Sequence, residues 1–176
     1  MKKFLILMLV SVMLIGVLSG CAGNKSVDKD IELSEIHEAI KAEYGEKYYP
    51  DREMELDEVK DYTGLNDEQI EEFIAEAPMM SIGVDTFIAI KASKGNGQAV
   101  YEGLEKYRTY LVEESLQYPM NLPKVNAAKV VQYGDYSFFI MLGEYKEFED
   151  VESEEAREYA ESEVTRAEKV IEGFFK

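Results

Sequence analysis

The most constraining stretch of this chain is Tyr136–Leu142, where Phe138, Ile140 and Leu142 alternate with Ser137, Phe139 and Met141. A strand built from it is apolar on both faces, so it must be central and covered on both sides. Gly134-Asp135 joins it to a second β-rich run, Val125–Tyr133. A two-residue Gly-Asp connection reads as a tight hairpin with a primed turn. Its register pairs Val131 with Phe138 and Val130 with Phe139. The strongest period-two signal lies upstream, where Met80, Ile82, Val84, Thr86, Ile88 and Ile90 alternate with Ser81, Gly83, Asp85, Phe87, Ala89 and Lys91. With 136–142 central, the predicted sheet order is 80–90, 136–142, 125–133, all antiparallel.

Helical spacing accounts for most of the remainder. Ile36, Ile40 and Tyr44 recur every four residues and predict a short amphipathic helix over 33–43, with Gly45 as its C-cap. Residues 55–62 fit one or two further helical turns. Asn66 followed by Gln69 has the spacing of a capping box. The apolar residues Ile70, Phe73 and Ile74 after it predict a helix stopped by Pro78. Val100, Leu104, Tyr107 and Leu111 predict a helix over 97–117. Ala156, Ala160, Val164, Ala167, Ile171 and Phe174 predict a long one over 152–175. The expected fold is therefore α+β: a small antiparallel three-stranded sheet in β-α-β-β order, N-terminal helices and a long C-terminal helix. It is a split β-α-β arrangement lacking its fourth strand. Helices 97–117 and 152–175 are expected on one face of the sheet and the N-terminal helices on the other.

The first twenty residues read as an address. Met1-Lys2-Lys3 is basic, and Phe4–Val17 is an uncharged apolar run of 14 residues. That is short of the roughly 20 needed to span a bilayer and fits the apolar region of a secretory signal. Leu18-Ser19-Gly20-Cys21, which contains the chain's one Cys, resembles the lipobox of bacterial lipoproteins. The resemblance implies a diacylglycerol on the Cys21 sulfur and cleavage before Cys21. Two acyl chains suffice for stable anchoring at about 0.8 kcal/mol per buried methylene. The expected organisation is a lipoprotein signal peptide at 1–20, the lipidated Cys and a flexible polar tether at 21–30, and a single α+β domain at 31–176.

Charge and composition exclude several functions. The chain carries 19 Lys+Arg against 36 Asp+Glu, a net −17, which opposes nucleic-acid binding because phosphates need clustered cations. One Cys and one His can form neither an internal disulfide nor a Cys/His zinc site. Neither a cofactor nor a metal is expected, and no run has the alternating acids of an EF-hand. The acids concentrate in 28–76 and 144–163, whereas 79–143 balances six acids with six bases. Such acidity reads as a solvated face. His37 is the one available imidazole base, no Gly-x-Ser-x-Gly elbow accompanies it, and its setting beside Ile36 reads as a surface or half-buried helix position. The chain is not expected to be an enzyme. The segment that stands out is Tyr118-Pro119-Met120-Asn121-Leu122-Pro123: two prolines stiffen an amphipathic loop, and a preorganised loop loses little entropy on binding. Tyr118, Met120, Asn121 and Leu122 are the candidate partner-binding residues.

Three segments carry a family resemblance: Val84–Lys91, Tyr110-Leu111 through Ser115–Pro119, and Val131–Gly143. They resemble an uncharacterised family of lipoproteins from Gram-positive bacteria, catalogued as domain of unknown function 4358. The resemblance covers roughly 30–145, and the final helix matches more loosely. It implies a lipid-anchored extracytoplasmic protein and carries over no catalytic or binding residue. Together with the sequence, it gives the expectation of a non-catalytic binding or accessory domain at the outer face of the cytoplasmic membrane. Its membrane contact is the lipid on Cys21, and its partner an envelope protein, peptide or wall component. The competing readings are an acidic cation-binding surface and a hydrolase acting through carboxylates or His37.

Overall fold

The structure is a computed structural model that describes residues 30–80 and 82–176. Ser81, the expected signal segment, Cys21 and the tether up to residue 29 lie outside the described residues. Helix α1 spans Leu33–Tyr44, and Gly45, at φ 55°, ends it by donating its N–H to the Lys41 carbonyl. The short strand β1 is Arg52–Glu53, and helix α2, Leu56–Thr63, closes on a left-handed Gly64. Strands β2 (Ile70–Ala77) and β3 (Thr86–Ala92) lead into helix α3 (Gly97–Glu113). Helix α4 (Leu122–Ala127) precedes the hairpin of β4 (Lys129–Tyr133) and β5 (Tyr136–Met141), and helix α5 is Glu154–Phe174.

The strands form one antiparallel sheet in the order β1-β2-β3-β5-β4. Every residue of β5 is buried, as its two apolar faces require. The hairpin register is the expected one, with Val130 opposite Phe139 and Val131 opposite Phe138. One face of the sheet presents Ile88, Ile90, Val130, Phe139 and Met141 to α3 and α2. The other presents Phe87, Phe138, Ile140 and Leu142 to α1 and α5. Each fully buried Phe, Leu or Ile contributes about 1.5–3 kcal/mol, so both faces stabilise the sheet.

The sheet has five strands, not three, and the difference lies in residues 70–77. The Asn66–Gln69 capping box forms in full, but it caps one 3-10 turn, Asp67–Gln69. The chain then extends into β2, pairing Phe73 with Ile90 and Ala75 with Ile88. Ala and Glu favour helix, yet β3 is buried along nearly its whole length and needs hydrogen-bonding neighbours on both sides. Tertiary pairing overrides local preference here. β1 then pairs with the end of β2, Arg52 opposite Ala77.

Other boundaries move for local reasons. β3 begins at Thr86 rather than residue 80, because Gly83 N–H turns back to the Met80 carbonyl at 3.0 Å. Helix α3 stops at Glu113, short of 117, where the Ser115 hydroxyl bonds the Leu111 carbonyl at 2.6 Å. The Pro-bracketed loop is instead a 3-10 turn, Pro119–Asn121, running into α4. Both prolines occupy first-turn positions, where a missing N–H costs nothing. Residues 125–127 are therefore helical, and β4 starts at 129. The C-terminal helix pairs with α1, across the sheet from α3. The stripe Ala156, Ala160, Val164, Ala167 and Ile171 is buried as expected.

Candidate functional site

The sheet directs three connections to one end of the molecule. The Pro78–Asp85 loop leaves β2 and enters β3, the 114–121 segment links α3 to α4, and Gly143–Tyr145 follows β5. Asn121 ties the first two together, its amide donating to the Ile82 carbonyl at 2.9 Å. Beneath them lies a charged bolt. Lys124 of α4 donates to both Asp85 carboxylate oxygens at 2.6 and 2.8 Å and to the Gly143 carbonyl at 2.8 Å. All three ammonium donors are used, so the pair is a satisfied structural unit. The Asp85 side chain is 8% exposed. Burial pushes its carboxyl above the ordinary value, against the opposing pull of the Lys124 cation and of backbone groups at Gly143 and Asp85.

Above this bolt is a groove of about 480 Å³, walled by Met80, Ile82, Met120, Tyr49 and Tyr145, with Asp51 at its side. Its size is in the range of small-ligand and peptide side-chain pockets. Met80 is 69% exposed and Met79 beside it 70%. Such clustered exposed apolar side chains mark interaction surfaces. Across the Pro78–Asp85 loop a more polar hollow of about 400 Å³ is lined by Met79 and Leu116, with Arg52 clamped on Glu58 at 2.8 and 2.9 Å. Both flanking sequences, 78–84 and 115–123, contain no charged residue, in a chain where charged residues are 31%.

Of the four sequence-predicted residues, the groove gathers two. Met120 forms part of its wall, and Asn121 lines it while holding the neighbouring loop. Tyr118 is 55% exposed but outside the groove, and Leu122 is half-buried at the start of α4 without lining it. The residues missed were Met80, Ile82, Tyr49 and Tyr145. A signal for the first two was present: the uncharged run 78–84 begins at Pro78, yet its alternation reads as strand.

His37 is more deeply placed than its sequence setting implied. It is 8% exposed, stacked on Phe87 at 5.8 Å, with Nε2 3.0 Å from a Glu76 carboxylate oxygen and 3.3 Å from the Tyr48 hydroxyl. The arrangement fastens α1 to β2. Burial and the neighbouring Glu76 push the Tyr48 hydroxyl upward, keeping it protonated. Among the described residues no three His, Cys, Asp or Glu side chains converge to hold a metal ion, and no helix is long and apolar enough to cross a membrane.

A family model described as Domain of unknown function (DUF4358) matches residues 32–142, from the start of α1 through β5. The chain belongs to that family, and the Pro78–Asp85 and 114–121 connections lie within the matched part, whereas Tyr145 lies just beyond it. No curated protein and no solved structure matches the chain.

Proposed function

We propose that this member of the DUF4358 family is a lipid-anchored, extracytoplasmic, non-catalytic binding domain. Residues 1–20 are its signal peptide, Cys21 carries the lipid, 21–30 are a tether, and 31–176 form the domain at the outer face of the cytoplasmic membrane. Its binding site is the groove between the Pro78–Asp85 and Tyr118–Lys124 loops, and its occupant a segment of an envelope protein. The observation that supports this most is that two uncharged runs, 78–84 and 115–123, in a chain of net charge −17, meet around one largely apolar groove. The satisfied Asp85–Lys124 pair beneath it braces the groove, and neither of its charges is free for chemistry there.

The test is crosslinking of the anchored protein in its own membranes, followed by mass spectrometry. The expected result is a Cys21 peptide carrying diacylglycerol and a reproducible protein partner that is lost in the Met80→Ser/Met120→Ser variant. An unmodified Cys21 overturns the localisation. A partner retained by the double variant overturns the groove.

A further inference from the structure

Resting on that reading, we propose that the groove selects an extended peptide that is apolar and positively charged. One basic side chain lies beside Asp51, and apolar side chains fill the space between Met80 and Met120. The argument begins with the charges that line the groove. Asp85 and Lys124 neutralise one another, and Lys124 has spent all its donors. Asp51 is different. Its Oδ1 accepts the Met79 N–H at 2.6 Å, and among the described residues it makes no ion pair. The groove therefore carries one uncompensated negative charge, in a molecule whose overall field is strongly negative. Such a field attracts a cation and rejects an anion, and it acts on choice of partner more than on raw affinity.

The walls set the rest of the ligand. Methionine is unbranched and polarisable, so Met80 and Met120 conform to aliphatic side chains of different shapes. Tyr49 and Tyr145 offer aromatic faces that suit a cation as well as an apolar stem. Tyr49 already lies 5.7 Å from the Lys124 ammonium, so a cation is compatible with that ring. An anionic lipid surface fits less well, because no unpaired Lys or Arg lines the groove to meet a phosphate.

The test uses the full chain in phosphatidylcholine nanodiscs with ¹³C-methyl methionine. Three capped heptapeptides are titrated, identical except for Lys, Gln or Glu at the centre of a Leu/Ala sequence. The expected result is that the Met80 and Met120 methyl signals move while those of buried Met54 and Met141 do not. The Lys peptide should bind about tenfold more tightly than the Glu peptide, because reversing the charge replaces one exposed attraction by one exposed repulsion. Asp51→Asn, which keeps an acceptor for the Met79 N–H, should shrink that ratio to below about threefold. Equal binding of the three peptides at the groove methyls overturns the charge rule and leaves the groove reading standing. No methyl shift with any peptide overturns both. Methyl shifts produced by phosphatidylglycerol nanodiscs without peptide also overturn both, and make these loops a membrane-facing surface.

Discussion

Replacing Lys124 with Met isolates the role of the bolt beneath the groove. The substitution keeps the length of the side chain and removes its charge. Asp85 would then stay buried with only backbone groups to oppose the cost of burial. Two charge-assisted hydrogen bonds to its carboxylate are lost, each worth about 1.5–3 kcal/mol. Breaking a buried pair by removing one partner costs about 3–5 kcal/mol. The two figures agree, so Lys124→Met should lower stability at pH 7 by about 4 kcal/mol. The pH dependence carries a sign that can be checked. The folded-state pKa of Asp85 is already raised in the native protein, and loss of Lys124 raises it further. A raised carboxyl pKa adds stability below the unfolded value, and that stability is lost as pH rises through the folded one. The deficit of the variant should therefore shrink on acidification, to about 1–3 kcal/mol near pH 4, where a protonated Asp85 is a neutral buried group. Urea unfolding followed by circular dichroism at pH 7 and pH 4 measures both. The companion variant Asp85→Asn/Lys124→Met removes the buried charge and should recover at least about half of the pH 7 loss. A single variant that loses under 1 kcal/mol at pH 7, or whose deficit is the same at both pH values, would refute the account of Asp85 as a buried carboxylate held by Lys124.

Three further outcomes follow from other contacts. Gly143→Ala places a Cβ 2.7 Å from the Glu163 Cβ and should cost about 1–3 kcal/mol, seen as a drop of several degrees in thermal midpoint. Glu76→Ala removes the 3.0 Å partner of buried His37 and should lower the urea midpoint by the equivalent of about 1–3 kcal/mol. Asn121→Ala leaves the Ile82 carbonyl without its 2.9 Å donor; it should cost about 1 kcal/mol, and limited proteolysis should cut the Pro78–Asp85 loop faster than in the native chain.

The part of the fold legible in the sequence is the part whose residues report their own burial. Phe138, Phe139 and Ile140 demand cover on both faces wherever they sit, so β5, its central place and its hairpin register follow from composition and the Gly134-Asp135 turn. The small-residue stripe of α5 is equally self-reporting. Strand β2 is not. Ile70, Phe73 and Ile74 have helical spacing, and the identity of their partner, Ile90 or Ala89 on β3, appears nowhere in the local sequence. The same reason hid Glu76, which reads as one more surface acid until β2 turns it toward His37. In the candidate site, Met120 and Asn121 were found because prolines flank them. Met80, Ile82, Tyr49 and Tyr145 were not, because a groove assembled from four separate chain segments has no linear signature.

The pairing of α1 with α5 sets the order in which the fold can be completed. The Tyr44 hydroxyl bonds the Glu163 carbonyl at 2.6 Å, and Arg166 bonds Glu43 at 3.0 Å, across 119 and 123 residues of sequence. The face of the sheet bearing Phe138, Ile140 and Leu142 is thus half covered until the last helix has been made. A chain growing from the ribosome cannot close that face early, and contacts so distant in sequence slow its closure afterwards. A transcript truncated after β5 would yield a product with half of that apolar sheet face uncovered, a template for aggregation, even though it retains every wall residue of the groove except Tyr145.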